Sequence, residues 1–140
     1  MNQAIELHDS ECLAVEVDEE RRGSVLLDAY VHRTAGEPGI SPGEGGVQRI
    51  RMKIDAMTIK GEVGMLPAYI YEGSLTVGSS IQDNMVPFPA SYPETVCLNM
   101  MLSDDARIIL ISGKKISIEA EGDFSFDYED LLFKRTGSCK

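Results

Sequence analysis

Apolar and polar side chains alternate over residues 24–33, and this two-residue period limits the possible folds more than any other feature of the chain. Successive side chains of an extended strand point to opposite faces of a sheet. The polar face of this strand would carry Asp28 and His32. The apolar face would carry Val25, Leu27, Ala29 and Val31. The pattern predicts a β-strand with one face in a core and the other toward solvent.

Similar short alternations recur along the chain and are separated by turn-forming residues. Ile5 and Leu7 precede the polar segment His8–Ser10, which predicts two strands joined by a turn near the N-terminus. The apolar phase inverts after Ile54, so we expect a bulge or sharp bend near Ala56. The pattern therefore predicts a series of short strands, and the chain has no internal repeat.

About eight or nine such strands, without a long helical pattern, predict an all-β fold. We expect a single-domain antiparallel β-sandwich or a flattened, jelly-roll-like β-barrel. The domain should span residues 1–133, followed by a flexible tail over residues 134–140. Residues 123–133 fit either an extended segment or the one short C-terminal helix that the sequence allows.

Two long segments rich in glycine and proline interrupt the strand pattern. Residues 35–46 contain five glycines and two prolines, and residues 78–93 contain three prolines among several apolar side chains. We expect both to be loops, because neither composition sustains regular structure. If consecutive strands run in opposite directions, these loops share one end with the turns at His8 and Gly113–Lys115. The other end then holds the turns at residues 18–23, 64–67 and 103–106.

Charge and composition exclude several kinds of partner. The chain has 13 basic and 23 acidic residues, and its net charge of −10 would repel a nucleic-acid backbone. No apolar run approaches the ~20 residues of a membrane-spanning helix, and the N-terminus lacks the pattern of a secretory signal. The three cysteines lack a Cys-x-x-Cys spacing and suggest neither a disulfide framework nor a zinc site. We therefore expect a soluble, cytoplasmic protein that binds neither nucleic acid nor membrane.

His8, Asp9 and His32 are the candidate acid/base residues. With Ser10 they supply the residue types of a nucleophilic triad, which needs a base within hydrogen-bond reach of the hydroxyl. Adjacent residues of one turn rarely achieve that geometry, and Asp and Ser side chains in turns commonly bond their own backbone. Asp28 lies too far from His32 to assist it, since residues four apart in a strand are separated by about 13 Å.

A ligand pocket at the loop-rich end is the other kind of site that the sequence allows. Its candidate lining residues are His8, His32, Gln48 and Asp83. No ligand spacing indicates a metal, and residues 35–46 lack the Gly-Lys-Ser/Thr ending of a phosphate-binding loop. We expect no metal and no cofactor.

Two further patterns bear on partners. Arg49, Arg51 and Lys53 form a basic row on one strand face, which cross-strand carboxylates such as Glu16 and Asp18 could neutralise. An anion-binding face or a self-association surface is the alternative explanation.

Apolar residues occupy both predicted faces of residues 95–102 and 107–111. Either the long loops or a second copy of the chain must cover the outer face, so the pattern predicts a possible homodimer. We expect a binding or assembly module that uses its loop-rich end to contact an unknown protein or small-molecule ligand. The alternative is a small hydrolase or isomerase with an acid/base site at His8, Asp9 and His32.

Overall fold

The computed structural model describes residues 1–103 and 107–126, which form β-strands and no helix. The strands are β1 (Asn2–Val17), β2 (Gly23–Thr34), β3 (Glu44–Asp55), β4 (Thr58–Lys60), β5 (Ala68–Val77), β6 (Ser80–Asp83), β7 (Met85–Pro87), β8 (Ala90–Tyr92), β9 (Val96–Leu102), β10 (Arg107–Gly113), β11 (Lys115–Ala120) and β12 (Ser125–Phe126). All their pairings are antiparallel, which confirms the predicted fold class. Of residues 123–133, for which the sequence predicts an extended segment or a short helix, residues 123–126 are described and contain β12. The rest of that range and the predicted tail lie outside the described residues.

The strands form one curled sheet with the neighbour order β4-β10-β9-β5-β1-β2-β3-β11-β8. We call β4, β10, β9, β5 and β6 sheet B, and we call the other strands sheet A. The two sheets join where Cys12 of β1 pairs with Ala68 of β5. A second link between the two sheets is the 3.1 Å hydrogen bond that the Gln82 amide of β6 donates to the Tyr92 hydroxyl of β8. The curled sheet is a half-barrel, and none of its described residues forms a helix that could cross a membrane.

β1 is one continuous strand of 16 residues, so the predicted turn at His8–Ser10 is wrong. Both halves of β1 pair with the long strand β2. The register shifts between Glu6 and Glu11, and Asp9 adopts a φ of 83° within this interval. These features define a β-bulge, which inserts extra residues without reversing the chain. Small polar residues suit a bulge as well as a turn, and only the pairing with β2 separates the two.

The predicted sorting of the loops is also wrong. Residues 35–43 meet the N-terminus, where the Asn2 side chain donates a 2.5 Å hydrogen bond to the Gly36 carbonyl. The turn after β10 lies at the opposite end of β3, where the Lys114 amide donates to the Asp55 carbonyl at 2.9 Å. The two do not share an end because β10 and β11 are not a hairpin: the chain passes there from sheet B, where β10 pairs with β9, to sheet A, where β11 pairs with β3.

The predicted bend near Ala56 is confirmed. Ala56 has a φ of 54°, and the chain passes there from β3 in sheet A to β4, which pairs with β10 in sheet B. By contrast, residues 78–93 are not a loop, since they contain β6, β7 and β8. These strands have only three or four residues each. Short edge strands accommodate proline because its missing N–H is not needed by a central ladder.

One core fills the space between the two sheets. The four apolar residues of β2 are fully buried, as their alternation predicts. Sheet B contributes Leu75, Leu98, Met100, Leu102, Ile109 and Ile111 to the same core. Cys12 is also fully buried, and its burial raises the pKa of the thiol to about 11, which makes it a core residue and not a reactive one.

The outer face of sheet A carries a ladder of ion pairs. The pairs are Arg49–Asp28 at 2.9 Å, Arg51–Glu121, and Lys53–Glu119 at 2.8 Å. Cross-strand neutralisation of the basic row is thus present, but Glu16 and Asp18 are not the partners. They belong to β1 and the turn after it, which β2 separates from β3.

Gly113 lies where β10 approaches β3 closely. A Cβ at this position would lie 2.6 Å from the Asp55 carbonyl oxygen and would also overlap the Ile54 side chain. We expect Gly113→Ala to lower the free energy of unfolding by about 1–3 kcal/mol, because the backbone must move to admit the methyl group. In Gly122→Ala the new methyl would meet only the Arg49 Cβ, at 3.2 Å. Urea denaturation of both variants tests the claim, and equal losses would contradict it.

Candidate functional site

The bulge of β1 presents Glu6 and His8 on the outer surface of the sheet, while Leu7 between them stays in the core. Asn84, between β6 and β7, holds the bulge in place. Its side-chain oxygen accepts a 2.7 Å hydrogen bond from the His8 amide, and its carbonyl accepts one of 2.8 Å from the Leu7 amide. The bulge is therefore built from two distant parts of the chain.

Ser10 closes the bulge against β2 and is fully buried. Its hydroxyl donates a 2.6 Å hydrogen bond to the Glu6 carbonyl and accepts one of 2.9 Å from the Tyr30 amide. The expectation that this side chain bonds backbone groups is met. A hydroxyl in this environment serves the backbone and has no surface on which to meet a substrate.

His8 lies half-exposed beside Asp9. Its Nδ1 lies 2.6 Å from the Tyr71 carbonyl oxygen, so it donates there, and its Nε2 lies 3.5 Å from the Asp9 carboxylate. The hydrogen bond to Tyr71 raises the pKa of His8, with further contributions from the negative charges of Asp9 and Glu6. The side chains of His8 and Asp9 are 51% and 59% exposed. This pair is the accessible part of the predicted acid/base group.

His32 lies beneath the same surface and pairs with Glu6. Its Nε2 donates to Glu6 Oε1 at 2.6 Å, and the two side chains are only 8% and 21% exposed. The ring also meets Tyr30 edge-on, with 5.2 Å between the ring centroids. The hydrogen bond from His32 lowers the pKa of Glu6. The pair therefore fastens β2 to the first half of β1 from a position that a substrate does not reach.

Gln48 and Asp83, the other predicted ligand residues, lie apart from the histidines. The Gln48 amide donates a 2.9 Å hydrogen bond to the Gly122 carbonyl, beside a shallow depression on sheet A. Asp83 ends β6 on sheet B and lines a different concavity. The structure thus brings together His8, Asp9 and the Glu6–His32 pair only. No group of three metal-ligating side chains occurs among residues 1–103 and 107–126.

The structure contains a groove at the loop-rich end whose lining residues the sequence did not predict. It lies where the start of β1, residues 35–43 and residues 85–89 meet, and it encloses about 490 Å³. Its lining includes Gln3, Glu37, Pro38, Met85, Pro87 and Phe88. The sequence feature that indicated it was the number of apolar side chains in residues 78–93, which implied that this segment packs onto another part of the chain.

The walls of the groove are fixed by backbone contacts. β7 pairs with β1 over Ala4–Glu6, and the Phe88 amide donates to the Gln3 carbonyl at 3.2 Å. The opposite wall is held by the Thr34 hydroxyl, which donates a 2.8 Å hydrogen bond to the Pro42 carbonyl. Phe88 is only 5% exposed and supports the floor. The groove is therefore preformed and not a gap between free loops.

No protein-family model, curated protein sequence or solved structure gives a significant match to the chain. The bulge and the groove are consequently the two features from which a function can be inferred. The bulge carries a histidine–carboxylate cluster that is mostly committed to internal hydrogen bonds. The groove carries apolar side chains that face solvent and one acidic residue at its rim.

Replacing His32 tests whether the buried pair is structural. In His32→Ala the Glu6 carboxylate keeps little access to water and loses the donor that contributes most to its lowered pKa, so we expect the free energy of unfolding to fall by about 2 kcal/mol. His8→Ala removes a half-exposed ring and should cost clearly less. Thermal or urea unfolding of both variants measures the difference. A His32→Ala loss no larger than that of His8→Ala would contradict the assignment.

The titration of His8 tests the geometry of the bulge. Its raised pKa means that protonated His8 adds stability below the ordinary value of about 6.5, and that this stability is lost as the pH rises through the folded-state pKa. We expect the imidazole NMR signals of His8 to titrate with a midpoint above 6.5. Asp9→Asn should lower the midpoint, and Asp83→Asn should not. A wild-type midpoint at or below the ordinary value would contradict the hydrogen bond to Tyr71.

Proposed function

We propose that the chain is a binding or assembly module that acts without chemistry of its own, through the groove at its loop-rich end. The observation that carries the proposal is a preformed groove of about 490 Å³ walled by Pro38, Met85 and Phe88. Binding sites are typically concave and mostly apolar, with a few polar groups that orient the ligand. Glu37 supplies the charged side chain of the groove lining.

The partner that fits best is a short protein segment with an apolar side chain and a neighbouring basic residue. The apolar walls favour an apolar side chain in the partner, and a methionine in the wall adapts to different side-chain shapes. Glu37 and the net charge of −10 favour a basic residue in the partner, since unlike charges steer association. Glu37 would repel an acidic peptide segment in the groove.

The enzymatic alternative has weaker support. Catalysis by Ser10 or His32 would need a substrate to reach side chains that are almost completely buried. His8 and Asp9 are accessible, but they sit on a convex bulge with no adjoining cavity among the described pockets that includes them. The geometry there suits a surface dyad better than a water-excluding active site.

We also propose a cytoplasmic location and a homodimer. Cys12 and Cys97 are both unpaired, which fits a reducing compartment. Ile108 on the outer face of sheet B is 54% exposed, and Met101 lies beside it. The described loops therefore leave part of this apolar face uncovered, and a second copy of the chain would cover it.

Selection from a displayed library of random short peptides tests the groove. We expect the wild-type chain to enrich peptides that combine an apolar residue with Lys or Arg. Glu37→Lys should shift the selected charges from basic to acidic, because it reverses the only charged side chain of the groove lining. Met85→Glu should weaken binding of the enriched peptides at least about tenfold by placing a charge against their apolar side chain.

The matched control is Ile81→Glu, which alters an exposed apolar residue of β6 that does not line the groove. It should leave peptide binding unchanged. Circular dichroism and unfolding midpoints verify that each variant is folded. The proposal fails if no peptides are enriched, or if folded Met85→Glu binds them as well as the wild type does.

A further inference from the structure

The outer faces of the two sheets differ in chemistry. On sheet A the basic row is neutralised by three ion pairs within the same face. On sheet B, Lys60, Glu72 and Asp83 are all exposed, and none of these three forms an ion pair with another described residue. Charges that are left unneutralised on one face, beside apolar side chains, are available to a partner.

The charges on sheet B lie in a defined order. Lys60 of β4 is opposite Leu110, which is opposite Asn99 in β9. Asn99 is opposite Ser74, which is opposite Asp83 of β6. One row of side chains therefore runs across five strands, with a cation at one edge and an anion at the other. The central strand β9 lies midway between them, about 10 Å from each edge.

The acidic edge of the row contains a small concavity. It encloses about 150 Å³, and its lining includes the two carboxylates Glu72 and Asp83 with the polar side chains of Ser74 and Asn99. Two carboxylates with an amide and a hydroxyl form a suitable environment for a primary ammonium group. Ile108 and Met101 border the same concavity and present apolar surface.

We propose that two copies of the chain pack through the outer faces of their B sheets, about a two-fold axis along β9, with Lys60 of each copy in the acidic concavity of the other. This inference rests on the proposed homodimer and assigns its surface and symmetry. Rotation about an axis along β9 exchanges the two edges of the row, so each Lys60 meets the partner's acidic edge. A rotation about an axis across the strands would instead place like charges together.

The apolar residues at the centre of the face agree with this arrangement. Met101 of β9 lies on the axis and would contact its own counterpart, as an isologous interface requires. Ile108 lies opposite Met101 in the neighbouring strand β10 and protrudes with 54% of its surface exposed. The rotation carries it over β5 of the second copy at the position of Glu72, which lies opposite Met101, so Ile108 packs against the methylene groups of that side chain. Sheets packed face to face in this way lie about 10 Å apart.

Sedimentation equilibrium over a range of protein concentrations tests the surface. We expect the wild type to approach twice the chain mass of 15.4 kDa. Ile108→Glu should weaken dimerisation by at least about tenfold, because it places a carboxylate against Glu72 of the second copy in a buried face. Val47→Glu makes the same kind of change at an exposed position of sheet A and should have no effect. A wild-type monomer at all concentrations overturns the homodimer and this inference together.

Charge reversal tests the symmetry separately. Lys60→Asp and Asp83→Lys should each weaken the dimer by roughly tenfold, since each loses two symmetry-related attractions. The double variant should regain most of the wild-type affinity, because the rotation pairs the exchanged charges again. A dimer that resists Ile108→Glu keeps the homodimer and overturns this face. A dimer that loses affinity additively in the double variant overturns the two-fold axis along β9.

Discussion

The bulge in β1 is the constraint on which the rest of the structure depends. β1 pairs with β2 along both of its halves, yet its first half also pairs with β7 and its second half with β5. The extra residues between Glu6 and Glu11 let one strand change direction enough to serve both neighbours without breaking. Sheet A and sheet B are joined at this strand, so the curvature of the half-barrel begins there.

The polar residues of the bulge are explained by this task. Ser10 bonds the backbone on both sides, Asn84 holds two successive amides of β1, and His32 joins Glu6 from β2. Buried polar groups must be hydrogen-bonded to avoid a cost of several kcal/mol in the apolar interior, about 2–7 kcal/mol per group. These polar side chains are of the types found in active sites, but most of their hydrogen bonds serve to hold the shape of β1. The same strand then extends to the groove, whose one wall it forms with β7.

The outer faces of sheet A and sheet B differ in how their charges are arranged. Sheet A pairs its basic row with carboxylates of the same face, whereas sheet B places Lys60 and Asp83 at opposite edges of one row. Neither arrangement affects the core, because the inward residues of both sheets are uniformly apolar. Interaction surfaces can therefore be altered independently of the fold.

Sequence periodicity was sufficient for the fold class, the burial of the four apolar residues of β2, and the bend at Ala56. It failed at His8–Ser10, where a bulge and a turn require the same small polar residues. It failed again over residues 78–93, because three-residue edge strands are too short to show a period and their prolines suggested a loop. The partners of Arg49, Arg51 and Lys53 were missed for a related reason. Strand order determines which carboxylates lie opposite, and strand order is not local information.

By itself, the sequence determined that this chain forms antiparallel strands around one apolar core and that it carries a net negative charge. Those properties follow from side-chain period and composition, which act over a few residues at a time. Only the tertiary structure decided that His32 is buried against Glu6, that three distant segments form a groove, and that Lys60 and Asp83 lie in one row. Each of these depends on contacts between residues far apart in the chain, and hydrogen-bond register across the sheet is the physical factor that sets them.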